Sequence, residues 1–241
     1  LKSILRDDKI KLNNEIKTLN INSYYKVSEN IKIEFIHVTH SIPQAALVAV
    51  HTKYGIILYA NDFKLDLHPT LGKKPDFKRL EEIGKEGVIG LIVESTYAGD
   101  AKKMPSEQVA KEMLKDVMLG TNNKDNLIIV TTFSSHIARL KSMIEFGQKL
   151  NRKIVFLGRS LAKYVKAAEN VGIVSFSNKI QIVRYSRQIE RMLKKVDKDR
   201  KKYLVVCTGH QGESKSVLYK IATGKFKFNL YPEDNVIFSC T

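Results

Sequence analysis

The sequence predicts an α/β protein, and three observations carry the prediction. Past residue 100, apolar runs of strand character, NLIIVTT (126–132), KIVFLG (153–158), YLVVCTG (203–209) and VIFSC (236–240), alternate with segments whose apolar residues recur at helical spacing. Runs that are apolar throughout belong in a sheet covered on both faces, so this half reads as a mostly parallel sheet flanked by helices. Before residue 100, IKIEFIHV (31–38), ALVAVHT (46–52) and GIILYA (55–60) are strand-like, and the last two bracket a Lys53-Tyr54-Gly55 turn, a hairpin signal for a sheet that begins antiparallel. Finally, 241 residues at 43% hydrophobic and 27% charged can bury one large or two ordinary domains, which argues against the disordered and membrane classes.

The elements follow in order. Residues 1–30 are polar and lysine-rich, with KIKLNN and EIKTLN the only candidate strand pair. After Pro75, DFKRLEEIG reads as a short helix stopped by Gly84, and GVIGLIVE (87–94) as a buried strand because it is apolar without interruption. Ser106 is the candidate N-cap of a helix that puts Val109, Met113 and Val117 on one face with Ala110, Leu114 and Met118 beside them, closed by Gly120. A helix from about Ser135 turns Ile137, Leu140 and Ile144 inward, and another runs through Leu161, Val165 and Ala168. IQIVRY (180–185) adds a strand, and the run Lys194 to Lys202 reads as a solvated helix face.

The charge is unusual. An excess of 41 Lys+Arg over 25 Asp+Glu gives +16, which draws a protein toward polyanions such as nucleic acid or anionic lipid. A lysine-biased genome would give the same composition without selecting a partner. The two cysteines, Cys207 and Cys240, lack CxxC spacing and suit a reduced, cytoplasmic protein. No apolar run approaches the roughly 20 residues that cross a bilayer, and no signal peptide opens the chain, so a membrane is not expected as a partner. A start at Leu1 and a stop directly after a strand suggest an internal fragment.

Chemistry-bearing residues gather at strand exits. THSIPQA (39–45) places His40, YANDFK (59–64) places Asp62, and LIVESTYA (91–98) places Glu94, each after an apolar run. His40 and Asp62, an imidazole and a carboxylate, suit a borderline metal such as zinc or manganese, although two ligands do not make a site. His37, His51 and His68 have no feature that lifts them above structural roles. In the second half, TTFSSH (131–136), GRS (158–160), TGHQGE (208–213) and SCT (239–241) set Gly, hydroxyl and basic groups after strands. Ser134, Ser135, His136, Arg139, Arg159, Ser160, His210 and Gln211 are the candidate phosphate-binding residues, because helix N-termini and cations at such loops favour anions. For a single loop, plain N-capping by Ser134 or Ser135 accounts for the same residues. No Walker A or GxGxxG motif is present, so a nucleotide cofactor is not indicated.

HSIPQA with NDFK, then ESTYA some 30 residues on, then FSSHIARL, GRS and TGHQGE in that order, resembles the β-CASP branch of the metallo-β-lactamase-fold nucleases, most closely the archaeal RNase J group. The likeness runs from about Ile31 to Thr241. It implies part of a metallo-β-lactamase αββα fold over residues 1–98, followed by a β-CASP domain over 99–241 that is truncated at its C-terminal end. It further implies a two-metal site that activates water for phosphodiester hydrolysis. His40 matches the metal-binding histidine of the third motif, Asp62 the aspartate that bridges two zinc ions in the full-length enzyme, and Glu94 the first acidic motif of the β-CASP region, the partner of a leaving-group acid. Manganese is the alternative metal.

Departures from the family pattern matter as well. The HxHxDH motif and the later histidine motifs are absent; they are expected before Leu1 and after Thr241, so this chain alone is not expected to assemble a complete dimetal centre or to be active. Asn61 replaces a common glycine, and Gln44 stands where bacterial RNase J has aspartate, favouring the archaeal branch. The resulting expectation is a cytoplasmic, zinc-dependent 5′-to-3′ exoribonuclease acting on single-stranded RNA, with a homodimer of the full-length protein left open. The alternatives are a β-CASP endonuclease of RNA 3′-end processing and a non-catalytic RNA- or phosphate-ligand-binding module.

Overall fold

The computed structural model describes Leu5, residues 9–101 and residues 103–240. The chain divides into two units: described residues up to His37 with Ala46–Asn61 and Asp76–Glu94, and Val38–Ala45 with Asp62–Pro75 and the described residues from Ser95 onward. No described helix is long and apolar enough to cross a membrane.

The first unit is built on a five-stranded sheet in the order β1-β2-β3-β4-β5. These strands are β1 (Tyr24–Lys26), β2 (Lys32–Val38), β3 (Ala45–Thr52), β4 (Gly55–Ala60) and β5 (Val88–Val93). β3 and β4 form the expected hairpin, paired antiparallel from Val48↔Tyr59 to Thr52↔Gly55. Gly55 sits at φ 136, and a Cβ there would meet the Ile89 side chain at 2.6 Å, so the turn needs glycine. α1 (Phe77–Glu86) returns the chain so that β5 pairs parallel with β4, and the sheet is therefore mixed. Gly84 does not stop this helix. It lies inside, and the chain leaves at Gly87, whose φ of 105 suits glycine while its N–H bonds Ile83 O.

β5 corrects a second expectation. The apolar run forms a strand, but Ile89, Leu91 and Ile92 are 59%, 62% and 55% exposed. The strand is the last in its sheet, paired with β4 alone. Continuous apolarity marks what a segment can bury, and the described residues do not cover this one. Polar anchoring in the unit centres on Arg79, which forks Glu34 with Nε and Nη2 at 2.6 and 2.9 Å while His51 Nε2 lies 2.8 Å from the same carboxylate. The hydrogen bonds from Arg79 hold Glu34 below the usual carboxylate range. His51 is thus a structural histidine.

The second unit holds an all-parallel sheet in the order β10-β6-β9-β7-β8. Its strands are β6 (Ile128–Thr131), β7 (Lys153–Leu157), β8 (Gln181–Val183), β9 (Tyr203–Cys207) and β10 (Asn235–Phe238). The helices are α2 (Glu107–Gly120), α3 (Ile137–Lys149), α4 (Arg159–Asn170), α5 (Ser186–Lys198) and α6 (Val217–Ala222). Alternate strand residues explain the uninterrupted apolar runs. Ile128, Val130, Phe156 and Val206 pack with Leu114, Met118, Leu140, Leu161 and Val165, while Leu127, Ile129, Val155 and Val205 pack on the other face with Ile189, Leu193, Val196, Val217 and Ile221. Ser106 caps α2, accepting from Val109 N. The helix buries Leu114 and Met118 and leaves Val109, Met113 and Val117 exposed. Lys194, Lys195 and Lys198 are exposed on α5 as expected, but Arg200 is tied to Asp234 and stacked 3.8 Å from the Tyr231 ring centroid.

Candidate metal and phosphate sites

His40 and Asp62 meet in the second unit, with His40 Nε2 4.0 Å from Asp62 Oδ2. The histidine side chain is 34% exposed and the aspartate 72%, so both present donor atoms to solvent. Zinc holds imidazole nitrogen and carboxylate oxygen at about 2.0–2.2 Å, which puts two donors of one ion about 3–4 Å apart. The pair therefore fits as part of a site. Among the described residues no group of three or more His, Cys, Asp or Glu is assembled for a metal.

The geometry around this pair includes residues that sequence reading passed over. Thr39 and Lys64 form an isolated antiparallel bridge, Lys64 N bonding Thr39 O at 2.7 Å and Thr39 N bonding Lys64 O at 3.3 Å. Asp66, 5% exposed, accepts from His68 N at 2.8 Å and from Glu107 N, at the start of α2, at 2.7 Å. The spacing DFKLD, which repeats an acid four residues after Asp62, was the available signal. Glu94 follows β5 at the end of the first unit and is half-buried.

Parallel registers bring the second unit's loops to one edge. Thr131 pairs with Phe238 and with Cys207, Cys207 with Leu157, and Leu157 with Val183, so these strands all end at the same level. Phe133 packs edge-on against the His210 ring with centroids 4.1 Å apart. Both His210 ring nitrogens and the hydroxyls of Thr131 and Thr132 are buried without a hydrogen bond among the described residues. Such groups are costly to leave unsatisfied. Gly209, at φ 131, brings the backbone so close to Ser216 that a Cβ would stand 2.5 Å from its hydroxyl. Arg159 and Gln211 are exposed, whereas Ser134, Ser135 and Ser160 are half-buried. The N-capping alternative for Ser134 and Ser135 is not realised, since the α3 cap is His136 and no side chain caps it. α4 likewise begins at Gly158 without a side-chain cap.

Arg139 departs from its expected place. It is 3% exposed, and its Nε and Nη2 fork Glu107 at 2.8 and 3.0 Å while Nη1 reaches Ser239 Oγ at 2.8 Å. A guanidinium spent in this way cannot also reach outward to a ligand, because its planar donors are fixed by the carboxylate they fork. His136 Nε2 lies 3.5 Å from the same Glu107. Burial pushes the imidazole down to about 4 despite the opposing pull of Glu107, so it is neutral at physiological pH.

Residues 125–241 match the family described as Ribonuclease J, beta-CASP domain. The chain is 41% identical over 233 residues to Ribonuclease J of Pyrococcus abyssi, covering 97% of this chain and 51% of that protein. It is 41% identical over 239 residues to Ribonuclease J of Methanocaldococcus jannaschii, covering 99% and 53%. With Ribonuclease J of Helicobacter pylori the identity is 33% over 231 residues, covering 90% and 31%. The chain thus spans about half the length of the first two relatives. A crystal structure of a protein of unknown function from Enterococcus faecalis matches with a TM-score of 0.56 at 15% identity, over 95% of this chain and 56% of that one, a likeness of fold.

Proposed function

We propose, from the match of residues 125–241 to the Ribonuclease J β-CASP domain and the 41% identity to two archaeal Ribonucleases J, that the chain belongs to that family and that its full-length protein is a zinc-dependent ribonuclease that hydrolyses single-stranded RNA from the 5′ end. The observation that carries the reading is the shared edge of the parallel sheet, where the loops after β6, β7 and β9 leave at one level, with buried hydroxyls and a histidine there that find no hydrogen-bond partner among the described residues. An RNA backbone offers the phosphate oxygens that such groups and uncapped helix N-termini bind. Ser134, Ser135, His136, Arg159, Ser160, His210 and Gln211 form the proposed phosphate surface; Arg139 supports it from within. The excess positive charge of +16 supplies the attraction to a polyanion.

His40 and Asp62 would hold metal through an imidazole and a carboxylate that both present donor atoms to solvent. A divalent ion bound there supplies Lewis acidity toward a phosphodiester and lowers the pKa of water. Within this reading Glu94 orients and charge-stabilises the group that protonates the leaving oxygen. Residues 1–98 would then be part of the metallo-β-lactamase domain and 99–241 of the β-CASP domain. A cytoplasmic location agrees with two unpaired cysteines. Manganese as the metal, a homodimer of the full-length protein and an endonuclease mode are carried over from the family resemblance as alternatives within the same class.

A second reading, a non-catalytic RNA-binding module, is favoured by one observation: the described residues add no third His, Cys, Asp or Glu donor to the His40–Asp62 pair. The two separate on the full-length gene product. Hydrolysis of 5′-labelled single-stranded RNA that stops with a chelator, returns with zinc and is lost in Asp62→Ala supports the enzyme. RNA that is bound and left intact in the presence of metal overturns it. The 241-residue chain alone is expected to take up zinc weakly or not at all by metal analysis.

A further inference from the structure

Asp62 has a side chain that is 72% exposed, so its place is set by the backbone that carries it. That backbone is held two residues on. The main chains of Thr39 and Lys64 pair through hydrogen bonds of 2.7 and 3.3 Å, and Thr39 directly precedes His40. The Thr39 hydroxyl donates to the Lys64 carbonyl and accepts from Asp66 N at 3.0 Å, closing a second tie across the same pair of segments. Asp66 in turn fastens the loop to α2. Its Oδ2 accepts from Glu107 N at 2.7 Å, at the positive end of a 14-residue helix, and its Oδ1 from His68 N at 2.8 Å, with Lys64 Nζ at 3.8 Å from Oδ2. Thr39 and Asp66 are 8% and 5% exposed, so neither is placed to touch a ligand itself.

We infer that Thr39 and Asp66 are positioning residues whose clasp holds His40 and Asp62 at metal-binding separation, an inference that rests on the reading of that pair as metal ligands. A hydroxyl that bonds one carbonyl and one N–H, and a carboxylate that accepts a backbone N–H at each oxygen, define one geometry for the two segments, and a metal gains affinity when its donors need no reordering. Asp66→Asn keeps the shape but turns an amide toward the Glu107 N–H, which can then find an acceptor only by rotating the side chain. Thr39→Val keeps shape and burial and removes both hydroxyl bonds.

The test uses the full-length gene product and zinc, with affinity read by competition against a chromophoric chelator, the absorption spectrum of the cobalt-substituted protein, and thermal unfolding of the metal-free form. Asp66→Asn and Thr39→Val should weaken zinc binding by about 10–100-fold and alter the cobalt spectrum, while Thr39→Ser restores both. Should Asp66→Asn fail to fold, Thr39→Val against Thr39→Ser decides. A lower unfolding temperature with unchanged affinity and spectrum would assign the clasp to stability alone and overturn the inference. Failure of the unsubstituted protein to bind zinc or cobalt would instead remove the metal reading, and the inference with it.

Discussion

Arg139 and Glu107, 32 residues apart in sequence, form a two-pronged ion pair at 2.8 and 3.0 Å in the interior of the second unit. The arginine lies in the first turn of α3 and the glutamate opens α2, so the pair joins two helix beginnings, with Ser239 beyond β10 as the third member. The fork and the Ser239 bond together use three guanidinium donors in fixed directions, which lysine cannot reproduce.

Arg139→Ala should therefore act on stability before it acts on RNA. Removing the cation leaves Glu107 buried without its counter-charge, a change that costs about 3–5 kcal/mol in such pairs. Arg139→Lys should recover only part of that loss. Denaturant unfolding of both variants checks this; an alanine variant within about 1 kcal/mol of the parent would mean that the pair contributes as little as an exposed one.

His136 gives a pH signature. Its folded value of about 4 lies below the ordinary 6.5, so above 6.5 both folded and unfolded states are neutral and the residue contributes no pH dependence. As pH falls from 6.5 to 4 the unfolded state gains a proton that the folded state refuses, and stability drops by about 3 kcal/mol across that window, on the scale of about 1.4 kcal/mol per unit. His136→Asn should flatten this part of the stability curve. Titration of the His136 ring by NMR provides the direct check, and a midpoint near 6.5 would contradict the buried, neutral assignment.

Much of the fold was legible, for a physical reason that also marks its limit. Ile128 and Ile129 face opposite sides of the parallel sheet and each meets a layer of helices, so the unbroken apolar run had one reading. Leu91 and Ile92 carry the same signature in β5 and remain exposed, because a sequence shows what a strand can bury and not what lies over it. The shared edge of the strand-end loops was legible from parallel order, which sends every strand's C-terminal end to one side, as the register Thr131↔Cys207 bears out. Arg139 was not. Its cationic character after a polar loop suggested a ligand, and nothing in the sequence ties it to Glu107, 32 residues away. Asp66 was hidden by resembling its neighbour Asp62, and only its burial against α2 separates a fastening carboxylate from an exposed one.

Glu94→Gln in the full-length protein separates metal binding from proton handling. Glutamine keeps the size and loses the charge, so metal content should match the parent while turnover falls by about 10²–10⁴-fold, the range of general acid–base assistance. Metal analysis and single-turnover hydrolysis on the same preparation give both values. Unchanged turnover would remove Glu94 from the chemistry, and lost metal would move it among the ligands.

Arg159 distinguishes a built phosphate surface from diffuse attraction. It is exposed at the first position of α4, beside Gly158 at φ 129 and an uncapped helix start, at the end of β7 that is level with the β6 and β9 ends. Lys194, Lys195 and Lys198 are also exposed, but they lie in the second half of α5 and not in the loops that follow β6, β7 and β9. A phosphate bound at the loop edge should lose one contact in Arg159→Ala, which lowers single-stranded RNA affinity and reduces the slope of log affinity against log salt by about 0.7–1. Alanine at any one of the three lysines should change the slope less, because mobile cations on a solvated face share their counterions with bulk salt. Affinity measured across a salt series for the four variants reads the difference. Equal slopes and equal losses would show attraction by net charge alone, and the phosphate surface at the sheet edge would be withdrawn.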